Sequence, residues 1–283
     1  MTRKQKIVAA ITVVLSLGLL LAPFIPAWLF WHRIRQFEQA VGVSDVCQFR
    51  ERGDPLQTGT HVGVRYTGNT AFRQFLGDIL SGGFNEVDAV GIEAVSRGRL
   101  NALRFISEAR ILRLVGPMTD DKLEIQLPAF PRMEVVTLQL TGLDDSVFVQ
   151  LTESGKFTAL SLVGEDAVSG QAVQRAARQN PLEYLMLFDV PAVDEQIFNA
   201  EDVFEELQTI SLEGSQFGDT AAARLAKLDS LVLVQWGNGA LTDEGVNQLA
   251  RNETIRGLWI VDCPITDASI DYLIGMRSSK SWF

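Results

Sequence analysis

The chain has 283 residues, 47% of them hydrophobic and 21% charged, a composition that supports a sizeable core and excludes a disordered chain. Its formal net charge of −10 is unevenly spread: residues 1–30 carry three bases and no acid, leaving 22 bases against 35 acids in residues 31–283. An acidic body repels phosphates, so nucleic acid and anionic lipid surfaces are poor partners for it.

A basic tail, residues 1–6 with Arg3, Lys4 and Lys6, precedes Ile7–Phe30, a run of 24 residues without a charged side chain. As a helix at about 1.5 Å per residue the run reaches roughly 36 Å, enough to cross a hydrocarbon layer about 30 Å thick with some tilt. A cleaved signal peptide has an apolar core of only about 7–15 residues and a small-residue cleavage site. Here the far end, Pro23 to Trp31, shows no A-x-A site, and Trp28 and Trp31 suit a membrane interface. The expectation is an uncleaved signal-anchor: a single-pass transmembrane helix over 7–30. The slight excess of positive charge before it puts the C-terminal domain on the extracytoplasmic side.

Residues 31–86 are weakly patterned. Ile34, Phe37 and Val41 continue at helical spacing, Gly53-Asp54-Pro55 breaks the helix, Val62, Val64 and Tyr66 alternate like a strand, and Phe72, Phe75 and Ile79 return to helical spacing. The segment reads as a juxtamembrane helix followed by an N-terminal cap or degenerate repeat.

From Val87 to the C-terminus the chain repeats itself. The pattern apolar-x-x-apolar-x-apolar begins at Val87, Ala109, Met133, Phe157, Leu182, Leu207, Leu228 and Ile255, at intervals of 22, 24, 24, 25, 25, 21 and 27. In each unit the apolar spacing then widens to three or four, marking a strand that turns into a helix; Leu143, Phe148 and Leu151 follow Met133, and Ile265, Ile270 and Leu273 follow Ile255 at the same offsets. After Leu228 the matching residues, Leu241, Val246 and Leu249, come three places late, which an insertion at Gly237-Asn238-Gly239 would explain. Thr119-Asp120, Asp144-Asp145, Ser169, Asp194, Asp219-Thr220, Thr242-Asp243 and Thr266-Asp267 stand before the helical segments, where side-chain oxygens cap free helical N–H groups for about 1 kcal/mol each.

These units resemble leucine-rich repeats of the short kind, L-x-x-L-x-L-x-x-(T/S/C)-x-I-T-D-x-x-L. The nearest match is Ile255-Arg256-Gly257-Leu258-Trp259-Ile260-Val261-Asp262-Cys263-Pro264-Ile265-Thr266-Asp267, followed by Leu241-Thr242-Asp243-Glu244-Gly245-Val246. Cys263, Thr141 and Ser215 fall on the ninth place, which bonds backbone in the family's turn; Pro117, Glu165, Val190 and Trp236 depart from it, and the Val87 unit lacks a helix motif. The resemblance implies an α/β solenoid, a horseshoe arc with parallel strands on its concave face and helices on its convex face, of about eight repeats over 87–283.

In such an arc the third, fifth and seventh places of each unit project from the concave face. Tyr184, Met186, Phe188, Val232, Val234 and Trp259 then form an exposed apolar stripe, the candidate partner-binding surface for a protein or peptide. The alternative is that the segment 31–86 covers these residues. Neither His32 nor His61 lies in the repeats, and no nucleophile elbow, Walker motif or dinucleotide fingerprint is present, so neither catalysis, metal nor cofactor is expected. A structural membrane scaffold without a specific ligand is the second reading, and a hydrolase using carboxylates alone the third. Cys47 and Cys263 are separated by seven or more strand spacings, roughly 34 Å, and cannot bridge. Cys47 is therefore either a buried thiol or the link in a homodimer.

Overall fold

The computed structural model describes residues 24–43, 46–49, 59–66, 85–118, 127–214 and 216–278. Ten strands lie side by side in chain order: β1 Cys47–Phe49, β2 His61–Tyr66, β3 Asn85–Glu93, β4 Ile111–Pro117, β5 Val135–Thr141, β6 Ala159–Val163, β7 Tyr184–Phe188, β8 Thr209–Glu213, β9 Leu233–Gly237 and β10 Gly257–Val261. From β3 to β10 every pairing is parallel, one strand per repeat, as the pattern requires. The Val87 unit is thus a true member of the array. The break comes one strand earlier, because β2 runs antiparallel to β3 and parallel to β1.

Parallel neighbours need a connection that returns to the starting end, and helices on one side of the sheet provide it. These are α2 Arg97–Ala102, α3 Asp145–Glu153, α4 Gly170–Gln179, α5 Asp219–Leu225 and α6 Asp243–Ala250, with a short 3-10 helix at Glu195–Asn199 where the Leu182 unit would place its helix, and α7 Ala268–Ser278 follows the last strand on the same side. The residues they turn inward, among them Phe148, Leu151, Val173, Ala222, Val246 and Leu249, join one core with the first, fourth and sixth residues of the repeats. Among the described residues the opposite face of the sheet carries no helix.

One unit was out of phase in the sequence reading. Leu231, Val234 and Trp236 are the buried triad of β9, and Val234 pairs with Ile210 of β8. The unit begins at Leu231, not Leu228, so the intervals of 21 and 27 become 24 and 24. Gly237-Asn238-Gly239 is no insertion, and Leu241, Val246 and Leu249 fall at the regular offsets.

The acid ladder caps helices, but in two ways. Asp144, Ser169, Asp194, Thr242 and Thr266 accept backbone N–H groups of their own first turns, at 2.9 to 3.3 Å. Asp145, Asp219 and Asp243, one place later, reach to the next repeat. Asp219 accepts the Thr242 N–H (2.8 Å), its hydroxyl (2.6 Å) and the Gly245 N–H (3.2 Å). Asp145 takes Ser169 in the same manner, and Asp243 takes Thr266 and the Ser269 hydroxyl, bonds that hold the Asp243 carboxyl below the usual carboxylate range. Thr119-Asp120 lies outside the described residues.

The N-terminal helix, α1 Phe24–Val41, crosses the boundary at 30/31 that the hydropathy of the sequence suggested. Ala27, Phe30, Ile34, Phe37 and Val41 are buried, and the helix packs on α2 and on the 3-10 turn Leu103–Phe105. The last two turns of the apolar run are therefore not a free-standing span. Residues 7–23 lie outside the described residues, and among those described no helix is long and apolar enough to cross a membrane.

Removing the Asp219 carboxylate strands buried donors of the following repeat, which typically costs 1–3 kcal/mol per group. Asp219→Ala is expected to lower the unfolding free energy by about 2 kcal/mol in urea titrations. A loss below about 0.5 kcal/mol would show that the inter-repeat bridge is inert.

Candidate functional site

The open face is built by strict alternation. One row runs Met186, Ser211, Gln235, Trp259 across β7 to β10, and the row beside it runs Phe188, Glu213, Gly237, Val261. Because Gly237 has no side chain, the second row is notched between Glu213 and Val261. A hollow of about 320 Å³ opens there, lined by Phe188, Ser211, Glu213, Gln235, Gly237, Asn238, Trp259 and Val261, among others.

Its polar groups are tied to one another: the Ser211 hydroxyl donates to Gln235 Oε1 (3.1 Å), and Asn238 Nδ2 donates to Glu213 Oε1 (2.8 Å). Trp259 is 65% exposed, an unusual state for so large an apolar group, with Val261 open beside it. An aromatic wall above paired amides and a carboxylate suits an amphipathic segment of another molecule. It offers no nucleophile paired with a base.

Of the six residues singled out from sequence, Phe188 and Trp259 line the hollow. Tyr184 and Met186 stand half-buried on β7 next to it, Met186 taking a hydrogen bond from the Ser161 hydroxyl at 3.1 Å. Val234 is a correction: it is fully buried in the core, and the shift of phase puts Gln235 on the face in its place. Val232 precedes β9, at the lip where the strand starts, and is 38% exposed. Sequence reasoning missed Gln235 and Asn238, while alternation already put Ser211 and Glu213 on this face. The signal available for Asn238 is its turn position, with φ of +47°, matched by Asp262 in the next repeat and Asp189 two repeats before; Asn, Asp and Gly tolerate that left-handed conformation best.

Other polar candidates are structural. His61 is buried on β2 with Nδ1 2.9 Å from the Gly59 carbonyl, and its ring lies over Gly91, where any Cβ would collide with it. Asn252, which opens the N-x-T triplet Asn252-Glu253-Thr254 that glycosylation would need, is 7% exposed and donates through Nδ2 to the Ala226 and Leu228 carbonyls (2.9 and 3.0 Å), so the nitrogen a glycan would take is spent. Cys47 packs against the core from β1, while Cys263 follows β10 at the far end of the sheet. Among the described residues no cluster of His, Cys, Asp or Glu could hold a metal ion. A larger hollow, about 800 Å³, runs between α3 and α4, but polar side chains fill its walls and Arg175 is already paired with Glu153 at 2.7 Å.

Glu165 occupies the ninth place of its repeat, where the family pattern asks for a small polar residue. It is fully buried, and Oε1 accepts the backbone N–H of Leu140 from the preceding repeat. Oε2 has no hydrogen-bond partner among the described residues. Burial pushes this carboxyl up to about 7, against the pull of the Leu140 bond.

Two outcomes follow for solution work. The unfolded chain releases the Glu165 proton near 4.5 and the folded chain near 7, so between those values the folded state binds more protons and loses stability as the pH rises, by at most about 3 kcal/mol. Glu165→Gln should flatten that decline in thermal melts between pH 5 and 8; an unchanged slope would contradict the assignment. Val234→Asp should cost more than about 3 kcal/mol or prevent folding, whereas Val232→Asp should stay within about 1 kcal/mol, as circular dichroism melts would show.

No protein-family model matches the chain, and no curated protein matches it. Among solved structures, the crystal structure of an internalin from Listeria monocytogenes str. 4b F2365 is similar, at 13% sequence identity over 69% of this chain and 60% of that one, with a TM-score of 0.40. The chain spans about three fifths of that protein's length. The repeat fold itself rests on the strand register, independently of this likeness.

Proposed function

We propose that the chain is a membrane-anchored interaction module of the leucine-rich-repeat kind, which binds a protein or peptide partner on the open face of its sheet and catalyses nothing. The observation that carries this reading is the pairing of an exposed Trp259 with the notch at Gly237, which leaves an aromatic anchor beside an unfilled hollow. Tyr184, Met186 and Phe188 extend the same surface toward the middle of the array. The anchor is the charge-free run from Ile7, with the repeats on the extracytoplasmic side.

A photo-crosslinking residue placed at Trp259, at Phe188 or, as a control on the helical side, at Gln174 tests this in intact membranes. Adducts of one defined mass from the first two positions and not the third are expected, and Met186→Asp should reduce them at least about tenfold, the cost of burying an unpaired charge in an interface. Equal adducts from both sides would favour a scaffold without a specific ligand.

A further inference from the structure

Helix α1 has two apolar faces, and among the described residues only one of them is covered. The inner face, Ala27, Phe30, Ile34, Phe37 and Val41, belongs to the core. On the outer side Ile25, Trp28 and Leu29 are 53, 63 and 48% exposed. The outer side also changes in character along its length. After Ile25, Trp28 and Leu29 come His32, stacked on Trp28 with ring centroids 5.1 Å apart, then Arg35, then Gln39, all exposed. Residues 28, 32, 35 and 39 share one stripe at helical spacing.

Apolar, aromatic, imidazole, guanidinium, carboxamide is the order of a path from hydrocarbon through headgroups into water. The sequence before the helix says which medium meets the apolar end. From Ile7 to Trp28 there are 22 residues without a charge, which as a helix would reach about 33 Å, the thickness of a hydrocarbon layer. A further cation lies in the segment packed on α1: Arg104 is exposed in the turn after α2, although the body of the protein is acidic.

We infer that the outer ridge of α1 at Ile25, Trp28 and Leu29 lies in the interfacial layer of a phospholipid bilayer, with Arg35 and Arg104 against lipid phosphates, so that the first repeat is seated on the membrane and moves with the anchor as one piece. This rests on the membrane-anchored reading above. The acidity of the body as a whole opposes anionic lipid, yet that repulsion is screened beyond about 10 Å, so the local arginines decide at the seat.

The test uses the full chain in lipid nanodiscs, with Cys47→Ser and Cys263→Ser and one new cysteine carrying an environment-sensitive fluorophore. The label sits at Trp28, at Gln39 on the same stripe about 16 Å further along the helix, or at Trp259. With headgroup spin-labelled lipid, quenching at position 28 should exceed that at 39 and 259 several-fold, and soluble iodide should give the reverse order. Arg35→Glu with Arg104→Glu should at least halve the lipid quenching at position 28 in discs containing phosphatidylglycerol.

If the chain separates from the discs on size exclusion, the anchor fails and the seat with it. A chain that stays with the discs while iodide reaches position 28 as freely as position 39 keeps the anchor and overturns the seat. A label at 28 shielded from both quenchers, with a crosslinked dimer, would assign the ridge to a second copy and overturn it equally.

Discussion

No repeat in this chain can bury its own aliphatic triad; each strand shows half of its inner row to the strand before it and half to the strand after. The array is stable only as a stack, and its ends are where the constraint becomes visible. At the first repeat it is met by α1 and by β2, whose antiparallel pairing with β3 lays the His61 ring over Gly91, with β1 continuing the sheet beyond it. At the last repeat it is met less fully, since Leu258 and Ile260 of β10 are only partly buried and Ile270 and Ile274 of α7 are exposed.

The polar groups obey the same rule. Parallel strands and their turns leave backbone donors and acceptors facing the neighbouring unit, and buried ones must be bonded. Asp145, Asp219 and Asp243 supply acceptors to the N-cap of the next unit, Asn180 at the end of its unit accepts the Phe157 N–H at that unit's start, and Glu165 accepts from Leu140 of the preceding unit. The carboxylate bridge is missing after α4, which begins with Gly170, and after the Leu182 unit, whose successor has Gly218 as its N-cap. There the contact is made by long side chains instead: Gln174 donates to the Ile197 carbonyl at 2.8 Å and Arg224 to that of Glu195 at 2.6 Å.

The parallel array was legible because a hydrophobic period survives many substitutions, whereas phase and partner do not announce themselves so plainly. Leu228, Leu231 and Leu233 satisfy the apolar pattern as well as Leu231, Val234 and Trp236 do, and a tryptophan at the sixth place hides the true triad. Only the equal spacing of 24 that Leu231 restores separates the two, and that is a property of the whole array. Asp144, Ser169 and Thr242 cap as their places before the helices suggested, but Asp219 opens its helix behind an uncapped Gly218, and an oxygen that caps its own turn looks in sequence like one that reaches the next repeat. The hollow was half legible: Phe188 and Trp259 follow from alternation, while Gln235 and Gly237 needed the correct register. Residues 50–58 and 67–84, including the expected break at Gly53-Asp54-Pro55 and the helical spacing of Phe72, Phe75 and Ile79, lie outside the described residues.

The side of the sheet without helices is where a partner has most to gain. On the helical side the furrow between α3 and α4 is walled by Gln, Glu and Arg side chains that already bond one another, and covering solvated pairs of that kind returns little free energy. On the open side Trp259 and Val261 are exposed, so burying them contributes at about 25 cal/mol per Å², with no ion pair to break. A face of that kind is selective only if it is presented in a constant direction. On the proposed seat, α1 packs into the core along one side and meets lipid along the other, so its residues from Phe24 on move with the first repeat. The direction in which the open face looks is then set at the membrane surface by a single helix.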